Sequence, residues 1–182
     1  MPDKDAYVAL LRGVNLGGKN KLPMRELREE FGEAGCYDVR TYIQSGNILF
    51  RATPEVARGL PDVIATRIAA RFGLRVPVLV RTAAQLGEVA RENPFLAQGV
   101  DEQTLHVVFL ADRPDADRVA KLDPDRSAPD AFIARGQEIY LWLPNGVARS
   151  KLTNAYFDST LATTSTARNW RTITTLLAML DG

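Results

Sequence analysis

Apolar and polar positions alternate along the chain in patterns that predict its elements one after another. Tyr7-Val-Ala-Leu-Leu-Arg12 is a short apolar run closed by Gly13, too short for an amphipathic helix, and predicts a buried strand. A loop with Gly17, Gly18 and Asn20 follows. Pro23 stands where a first helical turn tolerates it, and Met24, Leu27 and Phe31 recur at helical spacing up to a stop at Gly35. Val39 to Ile43 alternates and is rich in β-branched and aromatic residues. Ser45-Gly46-Asn47 turns the chain, and Ile48 to Phe50 returns as the partner strand of a hairpin. Val63, Ile64, Ile68 and Phe72 lie on one stripe of a helix from Pro61 to Phe72. Leu74 to Val80 is again strand, with Pro77 marking it as an edge. The order is βαββαβ, that of the split-βαβ or ferredoxin-like unit. A linking helix from Ala83 to Arg91 closes at Asn93-Pro94.

The second half follows a similar order. Leu105 to Leu110 predicts a strand, Pro114 to Leu122 a short helix, and Asp123 to Asp130 a loop. Ala131 to Ala134 and Ile139 to Leu143 flank Gly136-Gln137 as a second hairpin. Two helices, Ser150 to Leu161 and Arg168 to Leu180, end the chain, and one of the hydroxyl residues Thr163 to Thr166 is expected to cap the last. The expected fold is therefore α+β: two ferredoxin-like halves with antiparallel sheets and extra C-terminal helices. Residues 1–81 form the first half, 82–103 a linking helix and loop, and 104–182 a βαββα half with an additional helix. Strands not separated one by one by helices argue against a doubly wound parallel sheet.

Composition narrows the function classes. The 182 residues are 46% hydrophobic and 25% charged, in the globular range, and 23 Lys+Arg against 22 Asp+Glu leave a net charge of +1. A surface that is wholly a polyanion trap is excluded, while a local basic patch is not. The single cysteine, Cys36, rules out an internal disulfide framework and a thiolate metal cluster. His106, the only histidine, lies in an apolar strand, so neither a zinc site nor a Ser-His-Asp hydrolase is expected; no cofactor or metal is assigned. No run reaches the about 20 apolar residues that a bilayer span needs, and the charged N-terminus has no signal-peptide pattern, so a cytoplasmic protein is expected.

Three polar segments could carry chemistry. Gly13-Val-Asn-Leu-Gly-Gly-Lys-Asn20 reads G-x-x-x-x-G-K followed by Asn20, one residue short of a phosphate-binding loop. Asn20 supplies an amide where magnesium would need a hydroxyl, and Pro23 starts the helix too late for Lys19 to sit on its first turn, so an ATPase or GTPase is rejected. The loop nevertheless gathers Arg12, Asn15, Gly17, Gly18, Lys19, Asn20 and Lys21 at one end of the sheet with no acid among them. That is a candidate anion site, although Gly17-Gly18 also serves simply to turn strand into helix. The hairpin turn offers Gln44, Ser45 and Asn47. Near the C-terminus, Ser150 and Lys151, then Arg168 and Asn169, stand at expected helix starts, where free N–H groups and the helix dipole favour anions and where a hydroxyl also acts as a plain cap.

Leu10-Leu-Arg-Gly-Val-Asn-Leu-Gly-Gly18, Tyr42-Ile-Gln-Ser-Gly-Asn47, Ser150-Lys-Leu152 and Thr166-Ala-Arg-Asn-Trp-Arg-Thr172 together resemble the bacterial domain-of-unknown-function family 1697. The resemblance spans almost the whole chain in order. It implies an α+β fold and carries over no catalytic residue. Its motifs coincide with the three polar segments, which favours a binding module for a nucleotide, a phosphorylated small molecule or single-stranded nucleic acid. Two alternatives stand beside it. One is a small enzyme on an anionic metabolite, with Arg12 and Arg168 as clamps and Lys19 as acid or base. The other is a structural domain that forms a homodimer through a surface of Phe132, Tyr140 and Trp142.

Overall fold

The computed structural model describes residues 5–182; the charged stretch at 1–4 lies outside them. The chain forms two compact units. The first runs from the N-terminal strand to Gly87 and takes in Leu176–Gly182; the second is Glu88–Thr175.

In the first unit, β1 (Asp5–Leu11), β2 (Tyr37–Tyr42), β3 (Asn47–Ala52) and β4 (Val78–Thr82) form one antiparallel sheet in the order β2-β3-β1-β4. With α1 (Met24–Glu33) and α2 (Pro54–Phe72), β3 inserts between β1 and β2, which gives the expected split order. Both faces of β1 are buried, which explains an apolar run in place of alternation. Tyr7, Ala9 and Leu11 pack into a core with Leu27, Phe31, Leu60, Ile64 and Ile68. Val8 and Leu10 on the opposite face are fully buried as well. The second helix begins earlier than its apolar stripe suggests: Thr53 caps it by accepting from Val56 N, Pro54 takes the first position, and Pro61 lies inside. Glu30 of α1 ties the two helices, accepting from Arg67 Nε at 2.5 Å and Arg71 Nη1 at 2.8 Å.

In the second unit, β5 (Leu105–Leu110), β6 (Ala131–Arg135), β7 (Glu138–Trp142) and β8 (Ser165–Asn169) are ordered β6-β7-β5-β8, again all antiparallel. The helices are a one-turn α4 (Ala116–Val119) and α5 (Asn154–Leu161). Strand β8 is the departure from the sequence reading, which made its residues a helix cap. Ser165 and Thr166 are fully buried, and Ser165 Oγ donates to Asp158 Oδ1 at 2.7 Å, so the hydroxyl is satisfied inside the core. The helix that follows, α6 (Trp170–Asp181), is capped by Asn169, whose Oδ1 accepts from Thr172 N at 2.8 Å.

With β8 in place the two units repeat in register. Val8 pairs with Leu49 and Arg81; Val107 pairs with Tyr140 and Arg168. Leu11 N donates to Gly46 O at 2.8 Å, and Leu110 N donates to Gln137 O at 2.9 Å. After β4 the capping pair Thr82–Gln85 opens α3 (Ala83–Glu92), as Asn169 opens α6 after β8. The units differ in their loops. Residues 12–23 join β1 to α1 where 111–115 suffice between β5 and α4, and residues 43–46 turn β2 into β3 where 136–137 suffice. At the opposite end the second unit is the longer: 120–130 against 34–36, and 143–153 against Thr53 alone.

Candidate functional site

The long connection after β1 folds as a small hairpin arm. Asn15 N donates to Asn20 O at 3.1 Å and Lys19 N to Leu16 O at 2.9 Å. Gly17 and Gly18 occupy the turn with φ of 55° and 76°, the left-handed pair that a two-residue I′ hairpin requires. The N–H groups of Asn15 and Lys19, which a phosphate-binding loop would turn toward its ligand, are spent inside the arm.

Asn15 fastens the arm to its surroundings. Its Nδ2 donates to Gln44 O at 2.7 Å and Leu22 O at 3.0 Å, and its Oδ1 accepts from Leu22 N at 2.8 Å. The side chain thus joins the arm, the lead into α1 and the β2–β3 turn. Asn20 Nδ2 donates to Gly13 O at 3.0 Å, and the fully buried Asn47 donates to Tyr42 O. These three amides hold the corner in shape. Gly46 completes it, because a Cβ there would lie 2.7 Å from Leu11 Cβ and Val14 Cγ2, and its φ is +77°.

Between these segments lies a pocket of about 330 Å³ lined by Asn15, Gly18, Lys21, Leu22, Pro23, Met24 and Gln44. Pro23 is the N-cap of α1 and supplies no side-chain cap, and Pro23 and Met24 at this helix start line the pocket, with Glu26 in the same first turn. Lys19 and Lys21 are exposed on the arm, Ser45 is half-buried in the turn, and Arg12 is half-buried with its backbone N on Pro77 O at 3.1 Å. Two apolar side chains that the sequence reading passed over stand exposed on the same two loops, Leu16 (61%) and Ile43 (51%). Ile43 has a φ of +49°, a conformation that a β-branched residue rarely holds and that no local sequence signal announces.

The remaining candidates lie in the second unit. Ser150 does not cap α5; its Oγ accepts from Leu152 N at 3.1 Å, and Thr153 caps the helix by accepting from Tyr156 N. Lys151 is exposed. Arg168 is buried on β8, where Nη1 donates to Thr166 Oγ1 and Ala167 O, each at 2.8 Å, and burial draws its pKa down to about 10. Asn169 is spent as the α6 cap. The structure thus gathers Arg12 to Lys21 with Gln44 to Asn47 in one unit, and holds Ser150, Lys151, Arg168 and Asn169 in the other. Phe132 packs edge-on against Phe157 at 6.1 Å and Tyr140 is buried in the same unit.

Among the described residues no group of three or more His, Cys, Asp or Glu side chains could hold a metal ion, and no helix is long and apolar enough to cross a membrane. Burial pushes the Cys36 thiol up to about 11, which keeps it protonated near neutrality. The open sheet face that single-stranded RNA would need is closed in the first unit: Val8, Leu10 and Leu49 are fully buried, and Arg40 Nη2 donates to Met179 O at 2.9 Å.

These features define an α+β protein of two register-matched split-βαβ units, each with its own elaborated corner. The chain belongs to the family described as "Protein of unknown function (DUF1697)", whose model matches residues 5–140. It is similar in fold to the conserved bacterial protein SP0830 from Streptococcus pneumoniae, with a TM-score of 0.73 and 24% identity over 98% of this chain and 99% of that one. No curated protein matches it.

Proposed function

We propose that the first unit binds a small phosphate-bearing ligand, a nucleotide, in the pocket beneath its hairpin arm. One observation carries the reading. The second unit builds the same strand-to-helix connection with residues 111–115 alone, so the fold does not need residues 12–23. The arm adds Lys21 to the pocket wall beside the uncapped start of α1, which suits a phosphate, and carries Lys19 exposed two residues before it. Leu16 and Ile43 add exposed apolar surface of the kind a base covers. The pocket volume, about 330 Å³, suits one small molecule. A polymer is disfavoured by the covered sheet face and by a net charge of +1. No acid, histidine or cysteine is among the lining residues, which favours binding over turnover.

The test is a thermal-shift and calorimetric screen with nucleoside mono-, di- and triphosphates at low salt. A ligand at 100 times its Kd adds about 2.7 kcal/mol of stability. Replacing Lys19 and Lys21 together by Ala, both exposed, is expected to weaken nucleotide binding at least about tenfold, one lost charge-assisted contact. A folded chain that responds to no nucleotide, or a double variant that binds as tightly as the parent, sinks the reading.

A further inference from the structure

The second unit has its own elaborated corner, at the other end of its sheet. Residues 120–130 and 143–153 replace connections that the first unit makes with 34–36 and Thr53. The two added loops are locked together. Arg126 Nε donates to Lys151 O at 3.0 Å, and Lys151 N donates to Ser127 Oγ at 2.8 Å. The Ser127 hydroxyl in turn donates to Asp130 Oδ2 at 2.7 Å. The Arg126 guanidinium lies 3.9 Å over the Tyr156 ring, whose hydroxyl accepts from Asp123 N at 2.8 Å.

This scaffold surrounds a pocket of about 290 Å³ lined by Arg126, Arg149 and Lys151 together with Asp125 and Asp130. Stacking and the Nε bond fix the plane of Arg126, and a guanidinium held in one plane pairs with an oxyanion through its Nη groups. No ion pair within 4 Å joins the three cations to the two acids among the described residues. The cations therefore remain available to an anion; Asp130 is buried and accepts from Ser127, while the exposed Asp125 carboxylate, which only accepts, calls for a donor on the same molecule. We infer that this corner is a second binding site, separate from the nucleotide pocket, for a hydroxylated phosphate of the sugar-phosphate class. The phosphate meets Arg126, Arg149 and Lys151, and a hydroxyl meets Asp125.

Calorimetry at low salt with ribose 5-phosphate, inorganic phosphate and ribose tests it on the full chain. Ribose 5-phosphate is expected to bind more tightly than either fragment. Arg149→Ala and Lys151→Ala, both at exposed side chains, should each weaken it about tenfold. Asp125→Asn should weaken ribose 5-phosphate and leave inorganic phosphate unchanged, and the Lys19/Lys21 double variant should leave all three titrations unchanged. No heat with ribose 5-phosphate on a folded chain overturns the site. So does loss of binding in the Lys19/Lys21 variant in place of the Arg149 and Lys151 variants. Equal affinity for phosphate and ribose 5-phosphate overturns the role given to Asp125.

Discussion

His106 shows how one side chain can set a pH response. Its ring is half-buried on β5 opposite Asn169 and Leu141, and Nδ1 is buried with no hydrogen-bond partner. Desolvation lowers its pKa below 6.5, and a hydrogen bond with the Thr104 backbone pulls weakly the other way. As pH falls, the unfolded chain takes up this proton before the folded one does, so stability is complete above about 6.5 and declines as pH drops toward the folded value. The chain has no other histidine to confuse that window. Glu30 acts lower on the scale: hydrogen bonds from Arg71 and, against desolvation, from Arg67 depress its carboxyl, so its contribution is full above the usual carboxylate pKa and is lost as pH falls from there through the depressed folded value. Urea midpoints at pH 7, 6 and 5 should fall for the parent and stay nearly level for His106→Leu. A variant that keeps the parent's slope would assign the effect elsewhere.

At the level of elements, the informative failure concerns the segment before α6. Four hydroxyl residues ahead of an amphipathic helix look like a cap, but the cap is Asn169, and Ser165 and Thr166 of the four belong to β8. Asn169→Ala is expected to cost about 1 kcal/mol in urea denaturation, with Asn169→Asp near neutral. A null result for the Ala variant would return the cap to the hydroxyl run. Strands β1 and β5 were legible because two buried faces leave an apolar run, and β2–β3 and β6–β7 because turn residues punctuate them. Strand β8 was hidden because its buried side chains are polar and satisfied internally. The repeat was visible as element order only, since register is carried by which positions are buried, and Leu49 and Tyr140 serve the same position. At the candidate site the glycines and lysines of the arm were legible. The role of Asn15 depends on Gln44 and Leu22 meeting it in space, and Ile43 acts through a backbone angle that its own residue type disfavours.

At the level of the whole molecule, the first unit is completed by residues from the far end of the chain. Leu176–Gly182 belong to it, Leu176 is fully buried, and Arg40 of edge strand β2 caps a closing carbonyl of α6 at Met179. In the second unit Arg135 of edge strand β6 does the same for α3, donating to Glu92 O at 3.0 Å. The consequence differs between them, because α3 is made early and α6 last. The first unit is therefore expected to close only after residues 176–182 have been made, although all its strands come earlier than Ala83. A chain ending at Thr175 should lose hydrogen-exchange protection first in β2 and β3, over Tyr37–Tyr42 and Asn47–Ala52, while β6 and β7 keep theirs. The same truncation should loosen the pocket beneath the arm, since Gln44 sits in the turn between β2 and β3 and anchors Asn15. Uniform loss of protection in both sheets would mean that the helix end stabilises the chain as a whole and has no special tie to β2.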